Sequence, residues 1–511
     1  MLTRVDYGRG MHDRIIRATI DAGVVEGFTR DGVHRWRSIP YAAPPVGPLR
    51  FRDPRPVQPW SGVRSAHAYG KCAPQHRMYT MTGVGKYQPM GEDCLTLNVV
   101  APERIDDEPL PVMVFVHGGA YLLGSSATPI YDGAGLARRG CVYVSVNYRL
   151  GPLGCLDLSA LSTPEYRIES NLFLKDLLLA LRWVRNNIAV FGGDPDKVTI
   201  FGESAGAQAV STLLAVPSAK GLFAQVIAES PAAGMTRSVE TSAMYAARFA
   251  EILGLDPRDA ASGLMDADPA VLVDQVNTLI RVTTKDMFGA FPLGPTYGTE
   301  LLPQHPIDAM RAGAAHPVPL IVGTNAEEAR LFTRVLKLLP ISERRIESLW
   351  ATVGIEGRDR VMSAYPEYPA PSACLQFGGD FTFSSATWAL AESHTQHAPT
   401  YVYRYDYAPR TLTWSGLGAT HATELLAVFD VYRSRFGSLL TAAGDRKSAR
   451  RVSNELQNRW RAFSRTGVPG EGWPRYDTGD RPVLVFDKDI RVELDPEREK
   501  RIAWQDFAHH N

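Results

Sequence analysis

The strongest constraint on the fold is a recurrence: short, almost uninterrupted apolar runs alternate with stretches of helical pattern. PVMVFV (111–116), CVYVSVNY (141–148), KVTIF (197–201), FAQVIAES (223–230), VPLIVG (318–323), YVYRYDY (401–407) and PVLVF (482–486) each read as a buried strand. Between them, NLFLKDLLLALRWVRNNIAVF (171–191) is apolar almost all round, as suits a helix packed on a sheet with other helices over it. RKSARRVSNELQNRWRAF (446–463) is more one-sided, which predicts an amphipathic helix near the C-terminus. Strand–helix alternation of this kind predicts an α/β architecture: a large, mostly parallel sheet covered by helices on both faces. Residues from about 240 to 315 and about 325 to 400 are helix-rich. The expectation is one domain over residues 1–511, with these two segments as cap-like excursions above the strand ends, where ligands bind in open α/β sheets.

Composition narrows the classes of function. The 55 Lys and Arg residues are matched by 55 Asp and Glu, so the formal net charge is +0. That balance removes the electrostatic case for nucleic acid or an anionic membrane as partner. No run approaches the roughly 18 consecutive apolar residues of a membrane span. The opening MLTRVDYGRGMHDRIIRATI has no apolar signal-peptide core, so a cytoplasmic protein is expected. The five cysteines, Cys72, Cys94, Cys141, Cys155 and Cys374, form no CxxC pair, and neither a metal nor a cofactor is expected. A monomer and a homodimer are both compatible with this composition.

FGESAG (201–206) follows the apolar run Val198, Thr199, Ile200. A serine between two glycines at a strand end is either a tight-turn residue or a nucleophile. The helical character of the following AGAQAVSTLLAV supplies the strand–turn–helix context of a nucleophile elbow and favours Ser204 as the nucleophile. Gly202 and Gly206 let the turn close, and the N–H of Ala205 would point at an oxyanion. A serine hydroxyl needs a base. In hydrolases with such an elbow, the acid and then the histidine follow the serine along the chain. The histidines beyond Ser204 are His305, His316, His394, His397, His421, His509 and His510. His421, in the glycine-rich GLGATHATELLAVF after a strand, is the best placed; His394 and His397 read as helix-end residues, and His509 and His510 as tail. The acid lies in VPLIVGTNAEEARLF, where spacing does not separate Glu327 from Glu328. HGGAYLLGS (117–125), after strand 111–116, is a glycine-rich loop able to supply further backbone donors. It is not a phosphate loop, since no GK[ST] follows and no GxGxxG opens a helix.

With IPYAAPPVGPLRF (39–51), GEDCLTLNV (91–99), VSVNYRLGPLG (144–154), FGGDPDKVTIFGESAG (191–206) and WRAFSRTGVPG (460–470), these motifs make the chain resemble the type-B carboxylesterases. This is the cholinesterase/carboxylesterase family of α/β-hydrolases, and the likeness is to its bacterial para-nitrobenzyl-esterase-like members. The resemblance implies an α/β-hydrolase fold and cofactor-free hydrolysis of small to medium carboxylic esters through an acyl-enzyme. It assigns Ser204 as nucleophile, Glu328 as acid and His421 as base. It places the oxyanion donors at Gly119, Ala120 and Ala205, with Gly118 shaping the turn, and Glu203, Ser230 and Glu424 as polar neighbours of the triad. Cys72 and Cys94 match the positions of the family's first disulfide. The chain also departs from the pattern. Pro231 stands where a glycine is usual, and Ser170-Asn171 where Gly-Asn is usual. Residues 73–90 hold no tryptophan to bind a quaternary ammonium, leaving only Tyr79 or Tyr87. Some relatives are non-catalytic adhesion proteins that have lost the serine; here all three triad positions are filled. A lipase or amidase would use the same triad, but no long apolar lid segment is visible.

Overall fold

The computed structural model describes residues 3–4, 14–83, 85–104, 108–286, 291–336, 338–353, 357–505 and 507. Its centre is a 14-stranded sheet. In chain order the strands that matter are β1 (Arg14–Ile20), β2 (Gly23–Arg30), β3 (Val33–Pro40), β4 (Thr96–Pro102), β5 (Leu110–Val116) and β6 (Val142–Val146). They continue with β7 (Gly193–Glu203), β8 (Gln225–Glu229), β9 (Leu320–Asn325), β10 (Thr400–Tyr405), β11 (Pro482–Phe486) and β12 (Arg491–Leu494). In space they run β1-β2-β3-β4-β6-β5-β7-β8-β9-β10-β11-β12. From β6 to β11 every pairing is parallel, while β1 to β4 and β12 join antiparallel at the two flanks.

The expected apolar runs are all strands of the parallel part, with ends displaced by one to a few residues. The 141–148 run, for example, pairs only over Val142–Val146. The antiparallel flank β1–β4 is an addition to the expectation. RIIRATI alternates buried with partly exposed residues, and VHRWRSIP buries Arg35 against Asp132 at 2.9 Å, so neither reads as a continuous apolar run.

Alternation along each strand divides the core. Val112, Val114, Val116, Ile200 and Val226 pack in one cluster with helices α1 (Leu172–Asn187) and α2 (Ala205–Leu213). Met113, Phe115, Phe201 and Ile227 face the other way and pack with Trp460 and Phe463 of α3 (Arg446–Thr466). Leu172–Asn187 is shorter than the predicted 171–191, its last residues tightening into a 3₁₀ turn, Ile188–Phe191. The two helix-rich excursions are helical as expected, including Val239–Ile252, Pro269–Asp286, Glu343–Val353 and Ser385–His394. Among the described residues no helix is long and apolar enough to cross a membrane.

The strand order also decides where a site can form. After β5 the chain moves out to β6, and after β7 it moves the opposite way to β8. The carboxyl ends of β5 and β7 are therefore a topological switch point, the place where loops diverge and leave a crevice. The HGGA loop leaves β5 there and Ser204 leaves β7.

Candidate active site

Ser204 sits between the end of β7 and the start of α2 with φ 59° and ψ −123°. This is a left-handed conformation that a residue with a Cβ holds only when its surroundings fix it. Two hydrogen bonds do so: its N–H donates to the Glu229 carbonyl of β8 at 2.9 Å, and its carbonyl accepts from the Gln208 N–H at 2.9 Å. The flanking glycines are required by close approach. A Cβ on Gly202 would lie 2.6 Å from both the Gly206 carbonyl carbon and the Val116 carbonyl oxygen, and one on Gly206 would overlap that same oxygen.

The loop after β5 presses on the elbow. A Cβ on Gly118 would stand 3.0 Å from Ser204 Cβ and 2.8 Å from Glu203 Oε2. The next three residues all have positive φ: Gly119 at 112°, Ala120 at 53° and Tyr121 at 58°. Among the described residues the N–H groups of Gly119, Ala120 and Ala205 find no acceptor, so their donors are unspent. His117 anchors the loop: its ring stacks on Tyr148 at 4.6 Å, and the Tyr148 hydroxyl donates to the His117 carbonyl at 2.7 Å. Burial pushes the His117 imidazole down to about 4, so it is neutral at physiological pH.

The glutamate doublet separates cleanly. Glu328 is 3% exposed. Its Oε2 lies 2.6 Å from His421 Nδ1, while its Oε1 accepts from the Ser230 hydroxyl at 2.6 Å and the Asn325 N–H at 2.7 Å. Glu327 turns outward to Arg330, 2.6 Å away. The imidazole of His421 stacks on Phe383 at 4.5 Å and leans on Phe332 at 5.1 Å. Its Nε2 lies 2.9 Å from Glu203 Oε1. No hydrogen bond joins His421 to Ser204; Glu203 has one oxygen beside His421 Nε2 and the other beside Gly118 of the HGGA loop. Burial lowers the affinity of His421 for a proton, but Glu203 and then Glu328 outweigh it and raise its pKa well above the ordinary value.

Ser204, Ala120 and Ala205 open onto a cavity whose other walls include Met235, Phe291, Phe332, Leu339 and Phe383. Among the described residues no charged side chain lines it. Both helix-rich excursions contribute to these walls. The assembly is a serine flanked by unspent backbone donors, with an imidazole and a buried carboxylate behind it, facing an apolar chamber. The profile of the Carboxylesterase family matches residues 13–357 and 358–504.

The chain belongs to the carboxylesterase family. It is a serine carboxylic ester hydrolase. The esterase is 36% identical over 494 residues to the para-nitrobenzyl esterase of Bacillus subtilis (strain 168), covering 94% of this chain and 97% of that one. It is 35% identical to the fumonisin B1 esterase of Sphingopyxis macrogoltabida, covering 91% of this chain and 85% of that one. A solved PNB esterase structure superposes with a TM-score of 0.85 at 36% identity, over 96% of this chain and 99% of that one.

The structure places the remaining residues singled out from the sequence as follows. Ser230, with φ 54°, bonds to Glu328. Glu424 is fully buried and accepts from the Asn325 side-chain amide at 2.6 Å. Burial, then Glu203 and its other acidic neighbours, raise the Glu424 pKa well above the carboxylate range. Pro231 is followed by Ala232, which lines the cavity. Tyr87 is exposed and pairs with the Arg77 guanidinium at 4.6 Å, away from the cavity walls, so it offers the cavity no cation platform. The Tyr79 side chain, His509 and His510 lie outside the described residues. Cys72 and Cys94 are free, buried thiols rather than a disulfide; burial pushes Cys72 up to about 12. Among the described residues no cluster of His, Cys, Asp and Glu could hold a metal ion.

Two functional-looking residues had escaped the sequence reading. Asn325, at the end of β9, ties Glu328, Ser230 and Glu424 together. Glu229, at the end of β8, is fully buried beside the elbow. The available signal was the same for both: a polar residue ending an apolar strand on the side where the sheet opens.

Proposed function

We propose that the esterase hydrolyses uncharged carboxylic esters of small to medium size with an apolar or aromatic acyl group, and that Ser204, His421 and Glu328 carry the reaction. His421 takes the Ser204 proton at Nε2, and Ser204 Oγ attacks the ester carbonyl. The N–H groups of Gly119, Ala120 and Ala205 receive the oxyanion. His421 then gives its proton to the leaving alcohol, and water cleaves the acyl-enzyme by the same route. Glu328 holds the imidazole through Nδ1 and stabilises its cation. The observation that carries this reading is the buried 2.6 Å contact between Glu328 and His421 behind a strained serine. To act, Nε2 must turn from Glu203 towards Oγ; catalytic hydrogen bonds are often long in empty sites and tighten when substrate binds.

The uncharged lining argues for the substrate class, because a charged acyl group would lose its hydration without a partner. Ser204→Ala should lower kcat on a short-chain p-nitrophenyl ester by about 10⁶ with the fold intact. Turnover retained by that variant would overturn the assignment. A series of acyl chain lengths, charged and uncharged, tests the substrate class through kcat/KM.

A further inference from the structure

The buried acid cluster holds a feature that ester hydrolysis by a triad does not require. β7 and β8 are paired in parallel register, and Glu203 stands directly opposite Glu229. Residues opposite one another on parallel strands project to the same face. Two residues back, Phe201 and Ile227 occupy that face with Trp460 and Tyr403. Glu203 and Glu229 are therefore side by side, 3% and 0% exposed. Glu229 Oε1 accepts from the Trp460 indole N–H at 2.8 Å, and among the described residues Glu229 Oε2 has no hydrogen-bond partner. Among the described residues the one cationic group in contact with the pair is His421, which touches Glu203 and not Glu229. Two adjacent carboxylates in a dry interior do not both stay ionised; they hold a proton between them.

We infer that Glu229, buried opposite Glu203 with one oxygen on the Trp460 indole, keeps a proton at neutral pH, so that one charge of the pair, not two, lies beside His421. The groups around Glu229 agree from every element packed on it. Glu203 on β7 and Glu424, in the turn after His421, are acidic; Trp460 on α3 and Tyr403 on β10 are neutral. Burial first, and Glu203 after it, push Glu229 up to about 8. The functional consequence rests on the reading of His421 as base. The His421 pKa is raised by Glu203 and Glu328 and not by Glu229, so a proton kept on Glu229 acts on the base only through Glu203. The retained proton makes Glu229 a positioning residue for Glu203, the carboxylate beside His421 Nε2.

The test reads the proton without reading turnover, so it fails separately from the esterase mechanism. In the wild-type enzyme labelled with ¹⁵N-tryptophan, the Trp460 indole resonance, assigned by its loss in Trp460→Phe, should titrate with a midpoint near 8, as its acceptor ionises. In Glu203→Gln the like charge is gone and the midpoint should move to lower pH. A Trp460 resonance constant between about pH 5.5 and 9.5, or a midpoint that Glu203→Gln leaves in place, would overturn the inference. Glu229→Gln gives an independent reading. Its folding equilibrium constant relative to wild type should rise by up to about tenfold per pH unit between about pH 5 and 8, because the native carboxyl retains a proton that the unfolded one releases. A ratio flat with pH would equally overturn it.

Discussion

Replacing Glu203 by glutamine removes a charge 2.9 Å from His421 Nε2 while keeping the side chain's size. A unit pair at that distance is worth about 6 kcal/mol at an effective dielectric constant near 20. Breaking a buried pair typically costs about 3–5 kcal/mol once the site relaxes. The sign follows from the causes: burial disfavours the imidazolium, Glu203 and Glu328 favour it, and only Glu328 remains in the variant. A base must be unprotonated to act, so wild-type activity should fall on acidification from above the ordinary histidine value. In Glu203→Gln the same fall should come at a lower pH. The assay is kcat/KM on an uncharged p-nitrophenyl ester across pH, whose acid limb reports the free enzyme's base. The high-pH plateau should drop as well, because the imidazolium formed in the transition state loses a neighbour that stabilises it. An acid limb that stays in place or moves up would refute the electrostatic reasoning.

The other expectations are brief. Glu328→Gln should cost about 10⁴ in kcat, since the amide holds the wrong imidazole tautomer, whereas Glu327→Gln should stay within a few-fold; the reverse ranking would reassign the acid. Gly206→Ala places a Cβ against the Val116 carbonyl oxygen and should destabilise by about 1–3 kcal/mol, read as a lower Tm. A wild-type Tm would refute the close approach. Cys72, its thiol pushed up to about 12 by burial, should resist alkylation at pH 8 until the protein is unfolded, and labelling of the native enzyme would contradict that burial.

The parallel half of the sheet was legible because strands buried on both faces spell continuous apolar runs, as in Leu110–Val116 and Gln225–Glu229. The antiparallel flank was not, because Arg14–Ile20 mixes arginines with its apolar residues and resembles a loop. Within the site, Ser204 was readable from its two glycines and their strand–helix context, and the HGG loop from the strand before it. The choice between Glu327 and Glu328 was not readable from spacing: adjacent residues differ only in which way the turn after β9 points them, and that is decided by Ser230 and Asn325. The pairing of Glu203 with Glu229 was invisible for a related reason. It exists only through the register of two strands separated by a helix, and no local pattern encodes register between distant segments.

Of the thirteen described non-glycine residues with positive φ, five surround the proposed site of the esterase. Ala120, Tyr121, Ser204, Ser230 and Ala422 all hold positive φ, each at a cost on the order of 1–3 kcal/mol. All five line or adjoin the space around the serine and the imidazole, and four of them are small residues with little side chain to clash. The sheet holds them in place: Ser204 through the Glu229 carbonyl, Ser230 through the Gly323 carbonyl at 2.8 Å. What the distortion gains is donors. In a regular helix or strand the N–H groups of Gly119 and Ala120 would be consumed by carbonyls of the chain itself. The left-handed turns break that pattern and leave them, with Ala205, unspent beside Ser204. An oxyanion hole needs donors that are already oriented and already unpaired, so that none must be released when charge develops. The strained backbone and the unspent N–H groups are thus one feature, and a substitution that relaxed the first would be expected to remove the second.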